Sequence, residues 1–65
     1  MKYVLVNKFD EIVSTVDLDG NVGKTGATTY FQGVKKMPEK EDFDKLWKVM
    51  SELDFLSIFF QLSVL

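Results

Sequence analysis

The sequence predicts an α+β domain with a small three-stranded, mostly antiparallel sheet followed by one or two C-terminal helices. The first half is rich in β-branched and aromatic residues separated by turn-forming residues, which is typical of short strands. After Pro38 and a group of carboxylates, apolar residues recur at helical spacing. A chain of 65 residues is expected to form a single small domain over 1–65.

The first two elements are predicted to form a β-hairpin. The segment Lys2–Asn7 (KYVLVN) is short, apolar and β-branched, which favours a strand. The segment Glu11–Leu18 (EIVSTVDL) alternates in character, so that every second residue from Ile12 onwards should share one face. The residues NKFD at the junction indicate a tight reversal between the two strands.

The glycine-rich segment Asp17–Gly26 (DLDGNVGKTG) is similar to two ligand-binding loops but has the wrong spacing for either. An EF-hand calcium loop beginning at its first aspartate needs glycine sixth and glutamate twelfth, where Val22 and Thr28 stand. A phosphate-binding loop ending in GKT needs a glycine where Leu18 stands. We therefore expect a flexible connection between the second and third strands, with no metal and no cofactor.

A third strand and then a helix are predicted next. Ala27–Met37 (ATTYFQGVKKM) holds several residues that favour the pleated backbone, which indicates a strand. Pro38 fits the first turn of a helix, and the carboxylates behind it suit the positive end of the helix dipole. The apolar face of this helix, with the tryptophan as core anchor, is predicted to comprise Phe43, Leu46, Trp47 and Met50.

The last segment, residues 51–65 (SELDFLSIFFQLSVL), fits two structures. Apolar residues alternate from Leu56 to Val64 as in a strand, but apolar residues also recur at helical spacing from Phe55. Ser51, followed three residues later by Asp54, resembles a helix-capping pair. A second helix, or a kinked continuation of the first, is the favoured prediction.

Composition limits the function. The chain holds neither cysteine nor histidine, and a domain this small has little room for a pocket, so we expect no catalytic site. A net charge of −2 without arginine weakens the case for tight nucleic-acid binding. The apolar runs are shorter than a membrane span and do not form a signal peptide, so a cytoplasmic protein without a membrane partner is expected.

Self-association is the leading functional prediction. Hydrophobic residues make up 46% of the chain and aromatic residues 14%, which is more apolar surface than a 65-residue domain readily buries. The surplus lies near the C-terminus, and exposed apolar patches mark protein interfaces. A homo-oligomer is favoured over a foreign protein partner. The predicted interface residues are Phe55, Ile58, Phe59 and Leu62.

The alternative prediction is an RNA- or DNA-binding module of the small-barrel or Sm-like, ring-forming type. On a strand, the adjacent Tyr30 and Phe31 would point to opposite faces, so one ring could stack on a base. Nearby lysines could contact phosphates. The predicted nucleic-acid face comprises Lys24, Tyr30, Lys35 and Lys36.

The run TTYFQGVKKMPEKEDFDKLWKVM (Thr28–Met50) resembles small uncharacterised proteins of marine phages, particularly those that infect cyanobacteria. The resemblance covers about a third of the chain and implies no site residues. It implies a viral accessory protein, which would act in the host cytoplasm with a host or phage partner.

Overall fold

The N-terminal strand is the central strand of an antiparallel three-stranded sheet in the computed structural model. The structure describes the backbone of residues 1–64 and the side chains of residues 1–58. The predicted α+β class with its three-stranded antiparallel sheet is confirmed. The elements are β1 (Lys2–Asn7), β2 (Ile12–Asp17), α1 (Gly23–Val34), α2 (Lys40–Leu46), β3 (Trp47–Ser51) and α3 (Glu52–Val64).

Strand β1 takes the central position because it is apolar on both faces. Val4, Leu5 and Val6 are at most 1% exposed, and Tyr3 is also buried. A strand buried on both faces needs a covering layer on each side. Helices α1 and α2 cover the face of Tyr3 and Leu5, while α3 covers the face of Val4 and Val6.

The main core lies between the sheet and α1 and α2. Helix α1 contributes Ala27 and Phe31, which lie four residues apart and therefore on one face. Full burial of a phenylalanine side chain stabilises a fold by about 1.5–3 kcal/mol. The buried cluster comprises Tyr3, Leu5, Ala27, Phe31, Phe43 and Val49.

The predicted reversal between the first two strands is confirmed, and Asn7 organises it. The Asn7 side-chain oxygen accepts hydrogen bonds from the backbone N–H groups of Phe9 (2.9 Å) and Glu11 (3.0 Å). Asp10 adopts a φ of 63° in this turn.

The register of the hairpin shifts between Leu5 and Val6, so that Ser14 pairs with Leu5 but Ile12 pairs with Val6. Directly paired residues share a face, and Leu5 and Val6 point to opposite faces. The prediction that Ile12 shares a face with Ser14 is therefore wrong, because regular alternation does not account for a β-bulge.

The prediction of a third strand over Ala27–Met37 is also wrong, because this segment belongs largely to helix α1. Its β-branched residues favour a strand locally, but burial of Ala27 and Phe31 on one helical face outweighs that preference. The glycine-rich loop consequently joins β2 to a helix. Gly23 begins that helix with a φ of 71°, a conformation that glycine adopts without steric cost.

The helix predicted to run through Met50 ends at Leu46, and the chain continues directly into β3. The apolar face predicted for this helix is therefore divided between two elements. Phe43 is buried from α2, Leu46 is exposed, and Trp47 is half-buried beside the core from β3. The unoccupied edge of β1 explains the change, since it offers backbone hydrogen bonds to the segment that contains Val49.

The predicted C-terminal helix is confirmed as α3. The Ser51 hydroxyl accepts a hydrogen bond from the backbone N–H of Asp54 at 3.1 Å, as the capping pattern predicts. An ion pair of 3.4 Å between Lys2 and Glu52 links β1 to the start of α3. Among the helices described here, none has the length and apolar character needed to cross a membrane.

Candidate functional site

Two concave regions lie on opposite faces of the sheet. The first, which we call the lysine groove, runs between α1 and the α2–β3 junction and has a volume of about 480 Å³. The second, which we call the apolar cleft, lies between α3 and the β1–β2 hairpin and has a volume of about 280 Å³.

Helix α1 forms a polar wall of the lysine groove. The wall residues recur at the i, i+3, i+4, i+7 spacing of one helical face, and they are Thr25, Thr28, Thr29 and Gln32. The Thr28 hydroxyl donates to the Lys24 carbonyl at 2.9 Å, and the Thr29 hydroxyl donates to the Thr25 carbonyl at 3.1 Å. The Gln32 amide donates to the carbonyl of Met37 at 3.2 Å. These bonds use side-chain protons, so the oxygen lone pairs of the wall are its hydrogen-bond acceptors.

Positive charge gathers around this groove. Lys24, Lys40 and Lys48 line it, and the ammonium of Lys35 lies over the ring of Trp47, which also lines it. Three of the eight lysines in the chain, Lys24, Lys35 and Lys40, are thus on this side of the sheet, whereas Lys48 pairs with Val6 and extends its ammonium on the opposite face, toward Asp10. Of the ten Asp and Glu side chains in the chain, that of Asp44 lines the groove. The groove is therefore locally positive on a chain of net charge −2.

Two of these lysines have carboxylate partners. The Lys40 ammonium lies 2.8 Å from Asp44 within α2, and the Lys48 ammonium lies 3.5 Å from Asp10 in the hairpin turn. All four side chains are at least half exposed, so these pairs are weak and their ammonium groups can exchange partners.

The indole of Trp47 contributes a flat apolar surface to the groove. Its Nε1 is buried and has no hydrogen-bond partner among the described residues. An unsatisfied buried donor costs about 1–3 kcal/mol, which is unusual for a small domain to retain.

The apolar cleft brings the hairpin turn next to α3. Val6 and Met50 of the sheet line it together with Phe55 and Ile58 of α3. Phe9, in the turn, also lines the cleft and is 70% exposed, while Ile58 is 52% exposed. The cleft therefore continues onto an apolar surface that solvent reaches.

The outer side of α3 is apolar as well. Leu53 and Leu56 lie three residues apart, and their exposures are 69% and 52%. Eight of the thirteen residues of α3 are apolar, and its polar residues Asp54, Ser57 and Gln61 recur at the i, i+3, i+7 spacing of one narrow stripe. Apolar residues therefore occupy most of the circumference of the helix, which is more than packing against one face of a sheet buries.

The predicted interface residues divide between these regions. Phe55 and Ile58 line the apolar cleft, whereas the side chains of Phe59 and Leu62 lie outside the described residues. Sequence reasoning missed Leu53 and Leu56 because it selected a single helical stripe. Their spacing of three was nevertheless visible as a second stripe.

The predicted nucleic-acid face is rearranged. Lys24 and Lys35 both lie at the lysine groove, while Lys36 follows the end of α1. Tyr30 lies on helix α1 instead of a strand, and its ring packs edge to face on Phe31 at a centroid distance of 5.3 Å. The aromatic ring beside Lys35 is that of Trp47, which sequence reasoning assigned to the core and which packs against the core cluster as well.

No protein-family model, no curated protein and no solved structure matches this chain significantly. Within the residues whose side chains are described, no group of three or more metal-ligating side chains is close enough to hold a metal ion.

Proposed function

We propose that this chain is a non-enzymatic interaction protein that assembles with a second copy of itself and serves as a phage accessory protein. The observation that carries the assembly is the exposure of Leu53 and Leu56, which are neighbours on the outer side of α3. Contiguous exposed apolar surface of this kind marks protein interfaces. The resemblance of Thr28–Met50 to small marine phage proteins supports the biological setting.

The charge pattern of α3 favours a second copy as the occupant. Glu52 and Asp54 lie in its first turn, and the helix contains no lysine to attract an acidic partner. Two copies packed antiparallel would place these acidic turns about 20 Å apart, given a rise of 1.5 Å per residue. Charges at that separation are largely screened, because the Debye length is about 8 Å at physiological salt.

The size of the domain favours assembly too. A chain of about 60 residues buries only about 60% of its unfolded surface, so self-association is a common source of added stability. The sequence offers no disulfide as a substitute, since it has no cysteine.

The charged groups of the two concave regions support a non-enzymatic role. The carboxylate of Asp44, in the lysine groove, and that of Asp10, which lines the apolar cleft, are each paired with a lysine. The chain has no histidine or cysteine to act as a general base or nucleophile.

The test is the native mass in solution, measured by light scattering over a range of protein concentrations. Leu56→Lys should lower the mass to that of a monomer, because it places a charge in the proposed interface. Val34→Lys is the matched control, since Val34 is also 52% exposed but belongs to α1 on the opposite face of the sheet. This control should keep the wild-type mass.

Two results would contradict the proposal. One is a wild-type protein that stays monomeric at about 100 μM, a concentration at which even a weak dimer is populated. The other is an equal loss of mass in both variants, which would indicate general destabilisation instead of a specific interface.

A further inference from the structure

We propose that the lysine groove binds a nucleotide whose base carries an exocyclic amino group. This site lies on the face of the sheet opposite the proposed interface and does not rest on self-assembly. Its volume of about 480 Å³ falls within the range of about 300–1,000 Å³ that is typical of small-molecule sites. The groove also combines an aromatic surface, a positive rim and a wall of acceptors, which are the three features that such a ligand requires.

The aromatic surface would hold the base. Bases stack on tryptophan because every base presents a flat π-face. The Lys35 ammonium lies over one face of this ring, 4.7 Å from the centroid of Trp47. A base that stacked there would displace the ammonium, and the flexible lysine stem would let it move to the phosphate.

The positive rim would hold the phosphate. Lys24 and Lys40 line the groove from α1 and α2, so their ammonium groups approach a ligand from two sides. Lysine binds phosphate as a point charge without demanding a fixed geometry. The carboxylate of Asp44 lines the groove and pairs with Lys40, so a phosphate would have to replace it as the partner of that lysine. The other acidic residues at the start of α2 do not line the groove, and they are Glu39, Glu41 and Asp42.

The acceptor wall sets the choice of base. The oxygens of Thr28 and Thr29 accept hydrogen bonds after donating their own protons to helix carbonyls. Gln32 donates its amide protons to Met37 and Pro38, which leaves its oxygen as an acceptor. Adenine, cytosine and guanine carry amino groups that can donate to such a wall, whereas uracil and thymine carry carbonyl oxygens there.

The sole tryptophan of the chain provides the readout. Titration with adenosine 5′-monophosphate should quench Trp47 fluorescence in a saturable manner. Adenosine lacks the phosphate, inorganic phosphate lacks the base, and uridine 5′-monophosphate lacks the exocyclic amino group. Each of these compounds should therefore bind about tenfold more weakly or not at all.

Two variants separate the roles of the rim and the wall. Lys24→Gln should lower the affinity for adenosine monophosphate about tenfold and leave the affinity for adenosine unchanged. Thr29→Val should reduce the preference for adenosine over uridine monophosphate, which a general loss of structure would not do. Lys8→Gln is the control, because Lys8 lies in the hairpin turn, away from the groove. This variant should change neither the affinity for adenosine monophosphate nor the preference over uridine monophosphate.

A labelled single-stranded oligoadenylate distinguishes the source of the nucleotide. Tighter binding of the strand, with strong salt dependence, would identify single-stranded nucleic acid, and equal affinity would identify a free nucleotide. Both results support the site. The absence of saturable quenching by either probe up to about 10 mM nucleotide would overturn it. So would equal affinity for inorganic phosphate and adenosine monophosphate.

Discussion

The ammonium of Lys35 lies over the indole ring of Trp47, 4.7 Å from the ring centroid, and links the end of α1 to the start of β3. A cation–π contact of this kind contributes about 0.5–1 kcal/mol at a partly exposed site. It is therefore a contact whose energy can be measured in the free protein.

We expect Lys35→Met to lower the free energy of unfolding by about 0.5–1 kcal/mol, because it keeps much of the aliphatic stem but removes the charge. The same change in a Trp47→Leu background should have little effect, since the aromatic partner is gone. Urea unfolding of all four proteins at one protein concentration gives the coupling energy. A coupling energy near zero would show that the contact contributes nothing to stability.

The C-terminal end of α1 predicts a stabilising substitution at Lys36. The N–H of Lys36 bonds to the Gly33 carbonyl at 3.2 Å, and that of Met37 bonds to the Gln32 carbonyl at 2.9 Å. These two bonds form a Schellman motif, in which the residue at the position of Lys36 is usually glycine. Lys36 instead has a φ of 56°, which is strained for a residue with a β-carbon.

Lys36→Gly should therefore raise the free energy of unfolding by about 0.5–1 kcal/mol, after allowance for the greater freedom of glycine in the unfolded chain. Lys36→Ala removes the same charge but keeps the β-carbon, so it should give no gain. Thermal unfolding of both variants makes the comparison. Equal melting temperatures for the two would refute the argument from backbone strain.

The hairpin and the C-terminal helix could be predicted from sequence because their signals are local. Alternation and turn residues mark Lys2–Asp17, and a capping serine with a dense apolar repeat marks α3. The two wrong elements depend on distant partners. Trp47–Ser51 becomes a strand because it meets the open edge of β1 across more than forty residues of chain.

A signal for that missing strand was nevertheless present. The unbroken apolar run from Tyr3 to Val6 is typical of a strand buried on both faces, and such a strand needs a neighbour on each edge. The hairpin supplies one neighbour only. The lysine groove could not be predicted, because it arises where α1 and β3 meet and both were assigned to the wrong type of element.

The hairpin turn should be sensitive to Asn7. Its side-chain oxygen accepts two backbone N–H groups, and its amide donates to the Glu11 carboxylate at 3.1 Å. Asn7→Ala should cost about 1–2 kcal/mol in unfolding free energy, because it removes all three bonds from an exposed turn. Lys8→Ala, in the same turn, should cost less than about 0.5 kcal/mol. Denaturant unfolding tests both, and similar losses would contradict the role assigned to Asn7.

Adjacent aromatic residues on α1 test its packing against the sheet. Phe31 is fully buried in the main core, whereas Tyr30 is 47% exposed. Phe31→Ala should cost about 3–5 kcal/mol and can unfold so small a domain. The milder Phe31→Leu keeps most of the volume and should cost about 1–1.5 kcal/mol. Tyr30→Leu should cost clearly less, because solvent already reaches its ring.

Both leucine variants can be compared by thermal unfolding at equal protein concentration. A larger loss at Tyr30 would mean that α1 packs with the opposite face toward the sheet, and the lysine groove would then not exist.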